Sequence, residues 1–169
     1  MKYVSLDAQF SSCRNYRYSL RRTWLSGRGR VLFIGLNPST ADHQKDDPTI
    51  RKCVSYAKSW GFNSMEMVNL FAFRATYPAD LKAAAEPIGH LNDKWIKTAQ
   101  ERNDKIIACW GCLTKFRERA ADVLRYLTDP YCLKLNQNLD PAHPLYLKAN
   151  LKPLPLIIPT DEKVQREYS

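Results

Sequence analysis

In the stretch GLNPSTADHQKDDPTIRKC, residues 35–53, an apolar run ends abruptly on Asn37, Pro38, Ser39 and Thr40, and three acids follow: Asp42, Asp46 and Asp47. Similar terminations recur along the chain. The run Met65 to Phe71 carries Asn69 and Phe71 at its end, with Phe73 close behind. Lys105 to Trp110 closes on Trp110-Gly111, and Tyr131 to Leu135 leads through Asn136 to His143-Pro144-Leu145-Tyr146. If these runs are parallel strands, their carboxyl ends share one rim, and ligands of open α/β sheets bind at that rim. Amides pair with the edge of a base and aromatic rings stack on its face, so this set suits a flat, hydrogen-bonding ring better than a phosphate. The expected guest is a purine or pyrimidine.

Other chemistries compete for the same residues. The acids of residues 42–47 suggest a magnesium site and hence a metal-dependent phosphotransferase or nuclease. However, Asp47 is accounted for as a helix cap, no G-x-x-x-x-G-K-[ST] loop is present, and few other acids reach the rim. Cys109 and Cys112 have C-x-x-C spacing but lack a second ligand pair, and the five cysteines are odd in number and scattered. That pattern points to reduced thiols, with no metal and no cofactor expected. Structural roles also stand: an Asx-turn at Asn37, loop packing by His143, and core anchoring by Phe71, Phe73 and the four tryptophans, with Trp110 the best placed of these to stack on a base.

The elements that must position the rim are legible in outline. Asp47-Pro48 opens a helix and Trp60-Gly61 closes it; further helices are expected over Asn92 to Arg102 and Leu113 to Leu127, the last stopped by Asp129-Pro130. Alternation of strand and helix implies an α/β fold: a three-layer α/β/α sandwich around a mainly parallel sheet of about four strands. Residues 1–30 stand outside this scheme. Within them Tyr16 to Arg22 alternates like an edge strand, alone or in a hairpin. The 169 residues are expected to form one domain: a basic N-terminal strand or hairpin (1–30), an α/β core (31–150) and a proline-containing tail (151–169) lying extended on the surface.

Lysine and arginine number 26 against 17 acids, a formal charge of +9, which favours a polyanionic partner: DNA or a free nucleotide. Arg17, Arg21 and Arg22, interleaved with Tyr16, Tyr18 and Trp24, read as a phosphate-tracking face, with Arg51 and especially Arg74 nearer the rim. With no apolar run long enough to span a bilayer and no signal-peptide core, the reading is a cytoplasmic protein without a membrane partner.

The phrases YRYSLRRTW, FIGLNPSTAD, DPTIRKC, NLFAFRAT, WG and HPLYL, in this order over about residues 16–148, resemble the domain-of-unknown-function 1643 family of bacterial and phage proteins. More distantly, VLFIGLNP resembles the strand-then-GINP motif of the mismatch-specific uracil and thymine DNA glycosylases, and HPLY resembles their later loop. That likeness implies a small parallel sheet in an α/β/α sandwich. It also implies hydrolysis of an N-glycosidic bond at a modified or mismatched base in DNA. Asn37 would position the attacking water, aided by Asp42; His143 would stabilise the departing base; Asn69 would read the base edge, with Ser39 and Thr40 beside it. Phe71, Phe73, Trp110 or Tyr146 would stack on it. The alternative is a module that captures a base or nucleotide without chemistry.

Overall fold

A computed structural model describes residues 2–157. A hairpin of β1 (Ser5–Phe10) and β2 (Arg17–Thr23) leads to β3 (Arg30–Gly35), α1 (Pro48–Ser59) and β4 (Ser64–Asn69). There follow α2 (Pro78–Ala83), α3 (Asn92–Arg102), β5 (Lys105–Ala108), α4 (Arg117–Leu124), β6 (Tyr131–Cys132) and β7 (Leu154–Pro155). All the strands join one sheet in the order β1-β2-β4-β3-β5-β6-β7. No helix among the described residues is long and apolar enough to cross a membrane.

Burial explains the middle of this sheet. Val31, Leu32, Phe33 and Ile34 of β3 are all fully buried, as a strand covered on both faces must be. Val31 and Phe33 pack with Ile50, Val54 and Ala57 of α1. Leu32 and Ile34 pack on the other side with Ile96 of α3 and Val123 of α4. Asp47 caps α1 by accepting the Ile50 N–H at 2.9 Å, Pro48 takes the first turn, and Gly61, at φ +87°, lets the chain leave the helix.

The four expected strands pair in parallel, but the sheet as a whole is mixed, which corrects the expectation of a mainly parallel sheet of about four strands. Antiparallel strands join at both edges: β2 pairs with β4, β1 with β2, and β7 with β6. The segment read as an edge strand is therefore interior, with Ser19, Leu20 and Arg22 fully buried. Part of the tail also belongs to the sheet, through Leu154 and Pro155; residues 158–169 lie outside the described residues. The helix expected from Leu113 starts only at Arg117; the segment before it is tied instead to the return loop, the Leu113 N–H donating to Asp140 Oδ2 at 2.8 Å. Pro78 opens a further short helix, α2, ahead of the one expected over Asn92 to Arg102.

The order of the parallel strands fixes where a crevice opens. The chain passes from β3 through α1 to β4 on one side, then returns through α3 to β5 on the other side of β3. The loops following β3 and β5 thus diverge to opposite faces, and the gap between them lies at the carboxyl ends of the two strands.

Candidate functional site

A cavity of about 200 Å³ occupies that gap. The loop after β3 supplies Asn37, Pro38 and Ser39; the end of β4 supplies Asn69, and Ala75 and Thr76 follow. Cys109 and Trp110 come from the end of β5, His143 from the return loop, and Asp47, Thr49 and Ile50 from the start of α1. Arg17 of β2 completes the wall.

Asn37 ties two of these loops together. Its Nδ2 donates to the Ala75 carbonyl at 2.8 Å and to the Pro38 carbonyl at 3.0 Å, while the Ala75 N–H donates to Pro38 O at 3.0 Å. Both amide hydrogens are thereby used, leaving Oδ1 as the group available to a ligand or water. Asn69 is 3% exposed and its Nδ2 has no partner. Its backbone carbonyl is held by Asn92 Nδ2 at 2.9 Å, which anchors the end of β4. Trp110 is 2% exposed, and its indole Nε1 also has no partner. A buried donor without a partner costs roughly 1–3 kcal/mol, and two residues that carry one stand in the wall of this cavity.

His143 adds a further donor. Its Nδ1 accepts the Leu145 N–H at 3.2 Å, which places the proton of the neutral ring on Nε2. Although His143 is exposed on one side, desolvation of the ring against the cavity wall lowers its pKa, an effect the charge of Asp47 partly opposes, so the ring is neutral at physiological pH. Gly111, at φ +84°, turns the chain beneath His143, whose Cβ lies 3.4 Å from where a Cβ on the glycine would sit.

Arg17 reaches the cavity through a β-bulge. In the β1–β2 pairing Ser19 faces Gln9 but Arg17 faces Phe10, so Tyr18 is the extra residue. Beyond the bulge Ser19 donates to Glu66 at 2.6 Å, and Arg21 shares a groove with Glu66 and Arg102 of α3. Arg17 instead lies on the face of α1, donating from Nη1 to the Ala41 carbonyl at 3.0 Å. It is 2% exposed with Nε unpaired, and burial pulls its pKa down to about 10 against the pull of Asp47.

The cavity therefore gathers Asn37, Ser39, Asn69, Trp110, His143 and Arg17 from among the residues singled out in the sequence. The others lie elsewhere. Asp42 is folded into its own loop, its Oδ1 accepting the Gln44 and Lys45 N–H groups at 2.8 Å, and Thr40 is exposed beside the cavity rather than within it. Phe71 is buried in the core, edge-on to Phe116 at 4.8 Å, and Phe73 packs against the same core and against Tyr16. Tyr146 is wholly exposed.

The arginines separate likewise. Arg22 is fully buried, bonded to Asp46 at 2.8 Å and to the carbonyls of Asp42 and Lys45, where it clamps the β3–α1 loop. Arg21 pairs with Asp7 on the opposite face. Arg74 lies over Phe10 at 4.8 Å and donates to the Arg14 carbonyl, while Arg51 is exposed at the start of α1.

Each acid of residues 42–47 has a different partner, and no three His, Cys, Asp or Glu side chains gather as a metal site among the described residues. Cys109 is buried against Cys53 and Cys112 is exposed, so the C-x-x-C pair does not act as a unit.

The sequence reading missed Asp47 as a cavity residue because its capping role already explained it. The available signal was position: a cap at the start of α1, the helix that follows β3, stands at the carboxyl end of the sheet.

No curated protein and no solved structure matches the chain. The family model described as a protein of unknown function, DUF1643, matches residues 17–145. That span begins at Arg17 and ends two residues beyond His143, enclosing every residue of the cavity wall; the chain belongs to the DUF1643 family.

Proposed function

We propose that the cavity receives a single base of a nucleic acid and that the protein hydrolyses the N-glycosidic bond of that base, in the manner of the uracil-DNA glycosylases that its VLFIGLNP motif resembles. The observation that carries this reading is the meeting of Asn69, Trp110 and His143 in the wall of one small space, the first two with side-chain N–H groups that the fold leaves without partners. At about 200 Å³ the space is smaller than the roughly 300–1,000 Å³ of pockets for drug-sized ligands. It admits one ring system and leaves sugar and phosphate outside, which favours a base presented from a strand.

The chemistry follows from the donor set. When the bond from base to sugar C1′ breaks, its electron pair passes to the base, and preorganised N–H dipoles stabilise that charge without reorganising. Water adds its oxygen to C1′. The Asp47 carboxylate, with one oxygen engaged by Ile50 N–H, takes the released proton through the other, and Asn37 Oδ1 orients the water. The base leaves as an anion and is protonated by solvent.

A second reading is capture without chemistry. It is favoured by Asn37, whose amide hydrogens both serve the loop backbone. The test is incubation with labelled DNA carrying uracil, hypoxanthine, mismatched thymine or hydroxymethylated or glucosylated bases, followed by hot alkali. Breaks at one base type, lost in Asn69→Ala and Asp47→Asn, support hydrolysis. Binding without breaks across the panel leaves capture.

A further inference from the structure

The tyrosines of this protein fall into two groups. Six of the eight in the described residues are engaged within the fold. Tyr3 donates to Asp46 at 2.5 Å, Tyr56 to Lys148 O at 2.6 Å, Tyr126 to Asp93 at 2.7 Å and Tyr16 to Glu86 O at 2.8 Å. Tyr18 stacks on Trp95 at 6.1 Å, and Tyr131 lies beneath the Lys105 ammonium at 4.1 Å. Tyr77 and Tyr146 are the remaining two, 69% and 101% exposed.

Both stand directly beyond cavity residues. Tyr77 follows Thr76 in the loop after β4. Tyr146 comes three residues after His143, beside Leu147, whose carbonyl is held by Lys52 of α1 at 2.7 Å. Thr76 and His143 both line the cavity, so each tyrosine stands within three residues of its wall, Tyr77 just ahead of α2 and Tyr146 beside the segment held on α1. Tyr146 adopts φ +66° at the third position of a turn closed by the Leu147 N–H on the Pro144 carbonyl at 3.4 Å, which leaves its ring in solvent. Arg51 is exposed beside Ile50 of the cavity wall, and the chain carries a formal charge of +9.

We infer that Tyr77 and Tyr146 are stacking platforms for the unpaired bases on either side of the one in the cavity, so that the partner is single-stranded nucleic acid. This rests on the base-binding reading and adds strandedness to it. In a duplex the faces of neighbouring bases are covered by their own stack, whereas in a single strand they are free to lie on an aromatic ring, and a basic rim tracks the backbone. Tyr146, excluded from the cavity itself, thereby acquires a ligand in the flanking base.

The test is fluorescence anisotropy with a short labelled oligonucleotide of mixed sequence, single-stranded and as its duplex, over a range of salt. The single strand should bind tighter. Tyr77→Ala and Tyr146→Ala should each weaken single-strand binding by about 5- to 150-fold without changing the salt slope, and Tyr146→Phe should retain affinity. Arg51→Ala should instead reduce the slope by about 0.7. Duplex binding as tight as single-strand binding overturns the inference, as does an effect below about twofold in both alanine variants or no binding to either form. Base release is read separately: bound single strands that never lose a base sink the hydrolytic reading and leave this one standing.

Discussion

The side-chain oxygen of Asn69 lies 2.8 Å from the point where a Cβ on Gly35 would sit. Gly35 does not have positive φ, so its requirement for glycine comes from the neighbouring strand, whose terminal amide occupies the space a methyl group would take. Gly35→Ala should push Asn69 from the cavity wall at a stability cost of about 1–3 kcal/mol. The paired variant Gly35→Ala with Asn69→Ala should recover most of that stability but none of the base binding. Urea unfolding and ligand affinity, measured across the four proteins of this cycle, separate the two effects. Full affinity in Gly35→Ala alone would remove Asn69 from the site.

The loop that carries Asp47 depends on a cation with no access to solvent. Arg22 is fully buried and bonds Asp46 and two loop carbonyls, so Arg22→Ala leaves those acceptors unpaired and should cost about 3–5 kcal/mol. Arg21, one residue away, makes a half-exposed pair with Asp7, and Arg21→Ala should cost about 0–1 kcal/mol. Denaturant midpoints check both. If Arg22→Ala were the milder of the two, the clamp would be misassigned.

The pH dependence of stability should carry a contribution from His143. Burial lowers its folded pKa below the unfolded value of about 6.5, so the unfolded chain takes up the proton first as pH falls. The stability tied to its neutral form is therefore complete above that value and is lost as pH drops through it toward the folded pKa. His143→Asn should remove this loss, so that its Tm falls less than that of the wild type between about pH 8 and pH 5.5. Equal Tm losses in the two proteins would show that His143 titrates as it does in the unfolded chain.

Much of the site was legible because strand ends in a parallel sheet share one rim: Asn37, Asn69, Trp110 and His143 follow from four apolar runs and that rule. What was hidden depends on side-chain direction. Arg17, Ser19 and Arg21 have the same parity, and only the bulge at Tyr18 turns Arg17 to the face of α1. Phe71 stands at the right place in sequence, but the chain leaves β4 with the ring turned to Phe116 in the core. The edge strand β7 was hidden for another reason: it is two residues long, too short for any periodicity to register. Asp47 was overlooked as a cavity residue because one feature, the cap, had been taken as its whole role.

The contrast between Asp47 and Asp42 yields the sharpest test of the site. Asp47 and Asp42 are five residues apart in one loop, yet Asp47 lines the cavity while Asp42 binds only its own loop. Asparagine caps a helix as well as aspartate does, so Asp47→Asn keeps the bond to the Ile50 N–H and removes only the charge and the basicity. Its stability loss should be confined to the weakened attraction for Arg17, roughly 1 kcal/mol or about 2–4 °C in Tm. If Asp47 accepts the proton of the attacking water, base release should fall by about 10²- to 10⁴-fold while affinity for the intact strand is retained. Asp42→Asn should leave the rate within about threefold, since its carboxylate never reaches the water. A slow Asp42→Asn beside an active Asp47→Asn would return the catalytic role to the acid first expected to hold it. Unchanged rates in both would mean that the amides and the imidazole carry the reaction by stabilising charge alone.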